Sequence, residues 1–152
     1  MRYLDLRKTD TENGPGFRVT LFVSGCEFKC VGCWNPRSWN PRNGELYTEQ
    51  TETEILDALA EPYVSGLSVL GGEPFLDGNW QVLETLLRKV TKSVWLWTGY
   101  TLEELQLDNE RTRVLPYIHT LIDGQFEIDN RDLTLPYCGS TNQRVIQLEH
   151  TN

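Results

Sequence analysis

The feature that most restricts this chain is a cluster of three cysteines, Cys26, Cys30 and Cys33, with the spacing C-x3-C-x2-C. A closed structural zinc site takes four protein ligands and usually pairs two C-x2-C knuckles, whereas this segment contains one such pair. A 4Fe–4S cluster normally takes four thiolates, so three thiolates would leave one iron open to a substrate. The spacing therefore favours an open iron–sulfur cluster.

The alternative interpretation is a zinc-stabilised interaction module with a distant fourth ligand. That ligand would be Cys138, His119 or His150. Cys138 lies outside the motif and is interpreted as a bystander thiol. His119 falls within a predicted strand and His150 near the C-terminus, and neither has an evident partner in the sequence.

Charge and hydrophobicity exclude several classes of function. The 152 residues, of which 39% are hydrophobic, predict a single domain over residues 1–152. The chain has no apolar run long enough for a membrane span and no signal-peptide core, so we expect a cytoplasmic protein without a membrane partner. A net charge of −8 argues against binding to nucleic-acid phosphates. Clustered cysteines in a reducing compartment indicate a metal or redox centre rather than disulfides.

Strand-like and helix-like segments alternate along the chain. Five strands are predicted at Arg18–Ser24, Leu67–Leu70, Val94–Trp97, Tyr117–Ile122 and Arg144–Leu148. Helical patterns begin near Thr51, Asn79 and Thr101. This alternation implies a parallel sheet with crossover helices. Because a complete (β/α)₈ barrel needs about 250 residues, we predict an α/β fold with an open, incomplete (βα) barrel and a mostly parallel sheet. A flat doubly wound sheet is the alternative.

Distinctive residues follow each of the first four predicted strands. They are the cysteine motif, Gly-Gly-Glu-Pro at 71–74, Thr-Gly-Tyr at 98–100 and Asp-Gly at 123–124. Because the carboxyl ends of parallel strands meet at one edge of a sheet, we expect these segments to converge there. A glycine after a strand is ordinary turn chemistry, but turns alone do not explain thiols and acids at one edge.

The cysteine motif and Gly-Gly-Glu-Pro together resemble the radical S-adenosylmethionine superfamily. The resemblance implies that the amino acid end of S-adenosylmethionine chelates the open iron and that an electron from the cluster breaks the sulfonium C–S bond. The resulting 5′-deoxyadenosyl radical would then abstract a hydrogen atom. The cofactors implied are therefore a 4Fe–4S cluster and S-adenosylmethionine.

Further segments narrow the resemblance to the activating proteins of anaerobic (class III) ribonucleoside-triphosphate reductases. They are Asn-Gly-Pro-Gly-Phe-Arg at 13–18, Gly-Cys-Trp-Asn at 32–35, Trp-Thr-Gly-Tyr at 97–100, Asp-Gly at 123–124 and Gly-Ser-Thr-Asn-Gln-Arg at 139–144. This resemblance implies an oxidoreductase that generates a glycyl radical on the reductase large subunit. The implied partners are that subunit and an electron donor such as a flavodoxin. A radical enzyme acting on a small molecule is the alternative.

The resemblance also implies roles for single residues. Cys26, Cys30 and Cys33 would hold the cluster. The implied contacts to S-adenosylmethionine are Gly32, Cys33 and Trp34 near the adenine, Gly71, Gly72 and Glu73 at the methionine ammonium, and Thr98 and Asp123 at later strand ends.

Each of these roles has a plainer alternative. Trp34 would serve equally as a packing tryptophan, Glu73 as a helix N-terminal charge and Asp123 as part of a simple turn. Arg18 and Arg144 would meet the carboxylate of S-adenosylmethionine or the partner protein, or lie at the surface.

Overall fold

The fold is built on one seven-stranded β-sheet, seen here in a computed structural model that describes residues 1–33 and 36–148. The strands in chain order are β1 (Arg2–Asp10), β2 (Phe17–Val23), β3 (Glu45–Leu46), β4 (Val64–Gly71), β5 (Ser93–Trp97), β6 (Thr120–Asp123) and β7 (Arg144–Gln147). Their order across the sheet is β3-β1-β2-β4-β5-β6-β7. Trp34 and His150 lie outside the described residues.

The helices of the described residues are short. Three are α-helices, α1 (Glu49–Leu59), α2 (Trp80–Leu87) and α3 (Leu102–Leu107). Three are 3₁₀ helices, Pro36–Trp39, Arg111–Tyr117 and Ile128–Asn130. The chain between β6 and β7 contains no α-helix, and these two strands pair antiparallel.

The predicted open, incomplete (βα) barrel with a mostly parallel sheet is wrong. Only β2, β4, β5 and β6 pair in parallel, while β1 pairs antiparallel with both β2 and β3, and β7 pairs antiparallel with β6. The β1–β2 connection is too short for a crossover helix, and none of the α-helices lies between β6 and β7. Because parallel neighbours need such a crossover, both ends of the sheet are antiparallel.

The flat doubly wound sheet is not what forms either, because the helices pack on one face. Alternate residues of β2, Val19, Leu21 and Val23, lie in the same hydrophobic core as Ile55 of α1 and Leu83 of α2. The opposite face has a different composition. It carries Arg18, Thr20, Phe22, Ser68, Trp95 and Trp97.

Local side-chain bonds set where two helices begin. The N-cap of α1 is Thr48, three residues before the Thr51 position expected from sequence. The Thr48 hydroxyl accepts a hydrogen bond from the Thr51 backbone N–H, and the Thr51 hydroxyl accepts one from the Thr48 backbone N–H. The start of α3 expected near Thr101 is confirmed, since Thr101 is its N-cap and the Thr101 hydroxyl accepts a hydrogen bond from the Glu104 N–H at 3.2 Å.

Arg18 is an internal residue rather than a surface or ligand-binding one. It is 1% exposed, and burial lowers the pKa of its guanidinium to about 10. The guanidinium donates to the Ser68 hydroxyl at 2.8 Å and to the backbone carbonyls of Leu67 and Ser93 at 3.0 and 2.9 Å. It thereby ties together the beginnings of β2, β4 and β5.

None of the helices in residues 1–33 and 36–148 combines the length and the apolar character needed to cross a bilayer.

We predict that Arg18→Met lowers the free energy of unfolding by about 2 kcal/mol, because it leaves buried carbonyl groups without donors. Urea denaturation followed by tryptophan fluorescence would measure the change. Arg42→Met is the matched control, since Arg42 is exposed, and it should change stability by less than about 0.5 kcal/mol. Equal effects of the two substitutions would contradict the role given to Arg18.

Candidate functional site

A cavity of about 600 Å³ lies at the carboxyl ends of the parallel strands, on the sheet face opposite the helices. It is lined by the three motif cysteines and by residues that follow β4, β5 and β6. Those residues are Gly71, Gly72, Glu73, Thr98, Gly99, Gly124 and Gln125. The convergence of these segments on one edge, expected from the sequence, is confirmed. The volume falls in the range typical of small-ligand sites.

The cysteine loop after β2 is fastened to the turn after β4 by backbone hydrogen bonds. The Gly72 N–H donates to the Val23 carbonyl at 2.8 Å, and the Glu73 N–H donates to the Gly25 carbonyl at 2.6 Å. The Asn79 side chain adds a third link, because its amide donates to the carbonyls of Ser24 and Glu73. The sequence indicated Asn79 only as a helix cap, and a clamp between two loops was missed.

Aromatic contacts at the cavity wall also hold the cysteine loop. The Phe28 ring lies so close to Gly99 that a Cβ on that glycine would come within 2.6 Å of it. Phe28 also packs edge-to-face on Tyr100, with 4.9 Å between ring centroids, and the Tyr100 hydroxyl donates to the Glu27 carboxylate. Gly99 therefore serves to admit Phe28, which orients the start of the motif.

The thiols of Cys26, Cys30 and Cys33 all line the cavity, and the surrounding peptide groups suit thiolate ligands. Burial raises the pKa of the Cys26 and Cys30 thiols, while N–H groups of Phe28 and Lys29 bond to the Cys26 sulfur and oppose that rise. Hydrogen bonds to ligand sulfurs are a common feature of iron–sulfur sites. Each thiolate of a 4Fe–4S cluster binds a separate iron, so the residues present fit this group.

Cys30 has further neighbours in the segment after β6. The Phe126 N–H hydrogen-bonds to its sulfur, and the thiol lies 4.0 Å from the Gln125 side-chain oxygen. Sequence reasoning missed both contacts, because neither residue belongs to a motif. The Asp-Gly turn at 123–124 was the available signal that this segment reaches the same edge of the sheet.

Glu73 is a buried carboxylate held by three donors. It is 1% exposed and accepts hydrogen bonds from the Phe75 N–H at 2.8 Å, the Thr98 hydroxyl at 2.7 Å and the Gly99 N–H at 2.7 Å. Burial raises its pKa to about 7 against the effect of these donors. The carboxylate is therefore fixed in position with no positive side chain bonded to it in the described part of the chain. Such a group favours a cationic ligand.

Gly71 and Gly72 line the cavity, and a side chain at either position would also clash with the backbone of the neighbouring loop. Gly71 has φ +112°, and a Cβ there would lie 2.6 Å from the Val23 backbone. A Cβ on Gly72 would lie 2.4 Å from the Gly25 carbonyl oxygen. Both glycines thus let the two loops approach each other, whether or not a ligand touches them.

Two of the predicted site residues, Asp123 and Gly32, do not line the cavity. Asp123 is buried, accepts a hydrogen bond from the Leu102 N–H at the start of α3 and pairs with Arg144. Arg144 also pairs with Glu103, so neither partner faces the cysteines. Gly32 is exposed and close to Ile128. Trp34 lies outside the described residues, and its contact with adenine stays a prediction.

The candidate fourth zinc ligands differ in position. Cys138 lines the same cavity as the motif cysteines, which the sequence did not indicate. His119 lies just before β6, where its Nδ1 accepts a hydrogen bond from the Val94 N–H at 3.0 Å. His150 is outside the described residues. Among residues 1–33 and 36–148, no three His, Cys, Asp or Glu side chains surround a single metal ion position, as a zinc site requires. A 4Fe–4S cluster has no such requirement, because its thiolates bind separate irons.

Comparison with known proteins gives the family. The family model for a 4Fe-4S single cluster domain matches residues 12–146. The chain is 43% identical to the anaerobic ribonucleoside-triphosphate reductase-activating protein of Pasteurella multocida, over 95% of this chain and 96% of the relative. The chain belongs to this family of activating proteins. Family members from Vibrio cholerae and Enterobacteria phage T4 are 41% and 39% identical over 95% of this chain and at least 93% of their own length.

Membership of this family favours the iron–sulfur interpretation of the cysteine motif over the zinc alternative, because the matching family model describes a 4Fe-4S domain. The match covers every element from β2 to β7. The cavity, the cysteine loop and the Glu73 turn therefore all lie within the family region.

We predict that Gly72→Ala displaces the cysteine loop and lowers the iron retained after anaerobic reconstitution by more than half. The added Cβ meets backbone atoms, which have little freedom to move. Gly78→Ala is the control, since Gly78 has φ +93° but no atom within 4 Å of the added Cβ. It should cost about 1 kcal/mol of stability and leave the iron content unchanged. Equal iron loss in both variants would show that the close approach at Gly72 does not position the loop.

Proposed function

We propose that this protein uses a 4Fe–4S cluster held by Cys26, Cys30 and Cys33 to cleave S-adenosylmethionine reductively, and thereby generates a glycyl radical on the large subunit of an anaerobic ribonucleoside-triphosphate reductase. The observation that carries the proposal is the convergence of three thiols and a fixed buried carboxylate on one cavity. The names of the relatives, which are reductase-activating proteins, support the choice of the reductase over a small-molecule substrate.

The cluster, when bound, would supply the electron that breaks the C–S bond of S-adenosylmethionine. The protein's own part is to hold and orient the reactants. Cys26, Cys30 and Cys33 are the proposed ligands, and three thiolates would leave one of the four irons without a protein ligand and free to bind S-adenosylmethionine. Their thiols must lose protons when iron binds, so cluster assembly releases protons.

Glu73 is the proposed acceptor for the methionine ammonium of S-adenosylmethionine. Its three donors fix the carboxylate, and a neighbouring cation would favour the ionised form that burial disfavours. Thr98 would act through Glu73, since its hydroxyl bonds that carboxylate at 2.7 Å. Gly71 and Gly72 lie beside Glu73 in the cavity wall and are proposed ligand contacts as well.

The other assignments are also proposals. Gly32 and Cys33 are placed near the adenine by the resemblance of their motif, and Asp123 is proposed to act indirectly, by holding the start of α3. A flavodoxin-like protein is the proposed electron source, and the cytoplasm is the expected location.

Cluster assembly is tested by anaerobic reconstitution with iron and sulfide. We expect a brown protein with about four irons per chain that bleaches on reduction with dithionite. Alanine in place of Cys26, Cys30 or Cys33 should abolish the absorbance and most of the iron. Cys138→Ala is the matched control, since Cys138 lines the same cavity outside the motif, and it should retain the cluster. A colourless wild-type protein with one bound zinc would refute the proposed function.

The ligand-binding role of Glu73 is tested with Glu73→Gln. We expect normal iron content but at least a tenfold loss of affinity for S-adenosylmethionine, measured by equilibrium dialysis. The amide carries no charge, and its NH₂ group cannot accept the hydrogen bonds that a carboxylate oxygen accepts at the same position. Glu49→Gln, an exposed Glu→Gln change at the start of α1, is the control. Unchanged affinity in Glu73→Gln would remove Glu73 from the site.

Formation of the product is tested by electron paramagnetic resonance. The reduced protein, S-adenosylmethionine and the reductase large subunit together should give a glycyl radical signal. That signal should be absent when any of the three is omitted. Cleavage of S-adenosylmethionine without a radical on the reductase would favour the small-molecule alternative.

A further inference from the structure

Most Arg and Lys side chains of this acidic protein have a carboxylate or carbonyl partner, and a few have neither. Six Arg and Lys residues pair with a carboxylate: Arg7, Arg88, Lys89, Arg111, Arg113 and Arg144. Three more donate to backbone carbonyls, Arg2, Arg18 and Lys92. Of the cations left with neither kind of partner in residues 1–33 and 36–148, three lie on or beside the cysteine loop. These are Lys29, Arg37 and Arg42, which we call the cationic surface.

The cationic surface adjoins the backbone of the cysteine loop, and none of its three residues lines the cavity. The Gly25 N–H donates to the Ser38 carbonyl at 2.6 Å, and the Cys26 N–H donates to the Trp39 carbonyl at 3.2 Å. The segment that carries Arg37 and Arg42 therefore packs directly against the backbone of the loop. All three cations are exposed.

Acidic residues are absent from this part of the sequence. The chain has a net charge of −8, yet residues 28–44 contain three cations and no Asp or Glu. The nearest acids in sequence are Glu27 and Glu45, at the two ends of this segment, and neither pairs with Lys29, Arg37 or Arg42. The segment itself therefore carries only positive charge on a negative protein.

The proposed reaction needs an electron from outside, and the cavity is needed for the ligand and the partner's glycine. Electron transfer weakens steeply with distance, so a donor must dock close to the cysteine loop without occupying the cavity. We propose that the cationic surface formed by Lys29, Arg37 and Arg42 docks an acidic one-electron carrier protein. The carrier loses one electron to the cluster that Cys26, Cys30 and Cys33 would hold. This inference rests on the proposed function.

The test is the rate of cluster reduction by a chemically reduced flavodoxin, used as the acidic carrier, in anaerobic stopped-flow experiments. Arg37→Glu/Arg42→Glu should slow reduction about tenfold at low ionic strength, since opposite charges steer association. The wild-type rate should fall as salt rises, and the variant rate should not. Arg37→Gln/Arg42→Gln should be intermediate. Lys29 is left unchanged, because its backbone N–H bonds to the Cys26 sulfur.

Two controls separate this proposal from the proposed function. Lys8→Glu/Lys89→Glu makes the same change in net charge away from the cysteine loop and should alter the rate less than twofold. Reduction by photoreduced deazariboflavin, a small neutral reductant, should be equal in all variants. Failure of the wild type to cleave S-adenosylmethionine with that reductant would refute the proposed function instead.

Two results would overturn the docking proposal alone. One is an unchanged flavodoxin rate in Arg37→Glu/Arg42→Glu when iron content and small-molecule reduction are normal. The other is a normal flavodoxin rate together with weakened binding of the reductase large subunit, which would assign the surface to that partner.

Discussion

The parallel pairing of β2 with β4 brings the cysteine loop and the Glu73 turn to the same place, and the other parts of the site depend on it. The pairing ends in two short backbone hydrogen bonds, from Gly72 to Val23 and from Glu73 to Gly25. Only a glycine at position 72 allows this approach. The same contact sets the direction of the thiols and of the carboxylate, so a single steric constraint positions both parts of the cavity wall.

Two buried ionisable groups lie at opposite ends of the parallel strands and are stabilised differently from surface charges. Arg18 at the beginning of β2 has its pKa lowered by burial, and Glu73 beyond the end of β4 has its pKa raised by burial. Neither is paired with an opposite side-chain charge in the described residues; backbone and hydroxyl groups solvate both. Arg18 donates from Nε and Nη2 to groups of β4 and β5, which suits a structural role. Glu73 carries an unneutralised carboxylate into a cavity, which suits a binding role.

The cysteine loop has two neighbours of different chemical character. Its residues Cys26, Cys30 and Cys33 border a cavity lined by Glu73, Thr98 and Gly99. Its backbone also contacts the segment of Ser38 and Trp39, and the exposed Arg37 and Arg42 of that segment have no acidic partners among the residues described. A donor docked on these cations, as proposed, would lie beside the loop without occupying the cavity.

The amino-acid sequence is enough to predict the type of metal centre and the positions of the central strands. The spacing of Cys26, Cys30 and Cys33 indicates the type of cluster, and β-branched and aromatic runs predict β2, β4 and β5 within a few residues. It did not determine the sheet, because the polar strand β1 has a weak pattern and strand direction depends on connections that a local pattern does not show. Nor did it show that Arg18 points inward or that Cys138 reaches the cavity. Those positions depend on contacts between residues far apart in sequence, and only the tertiary structure decides them.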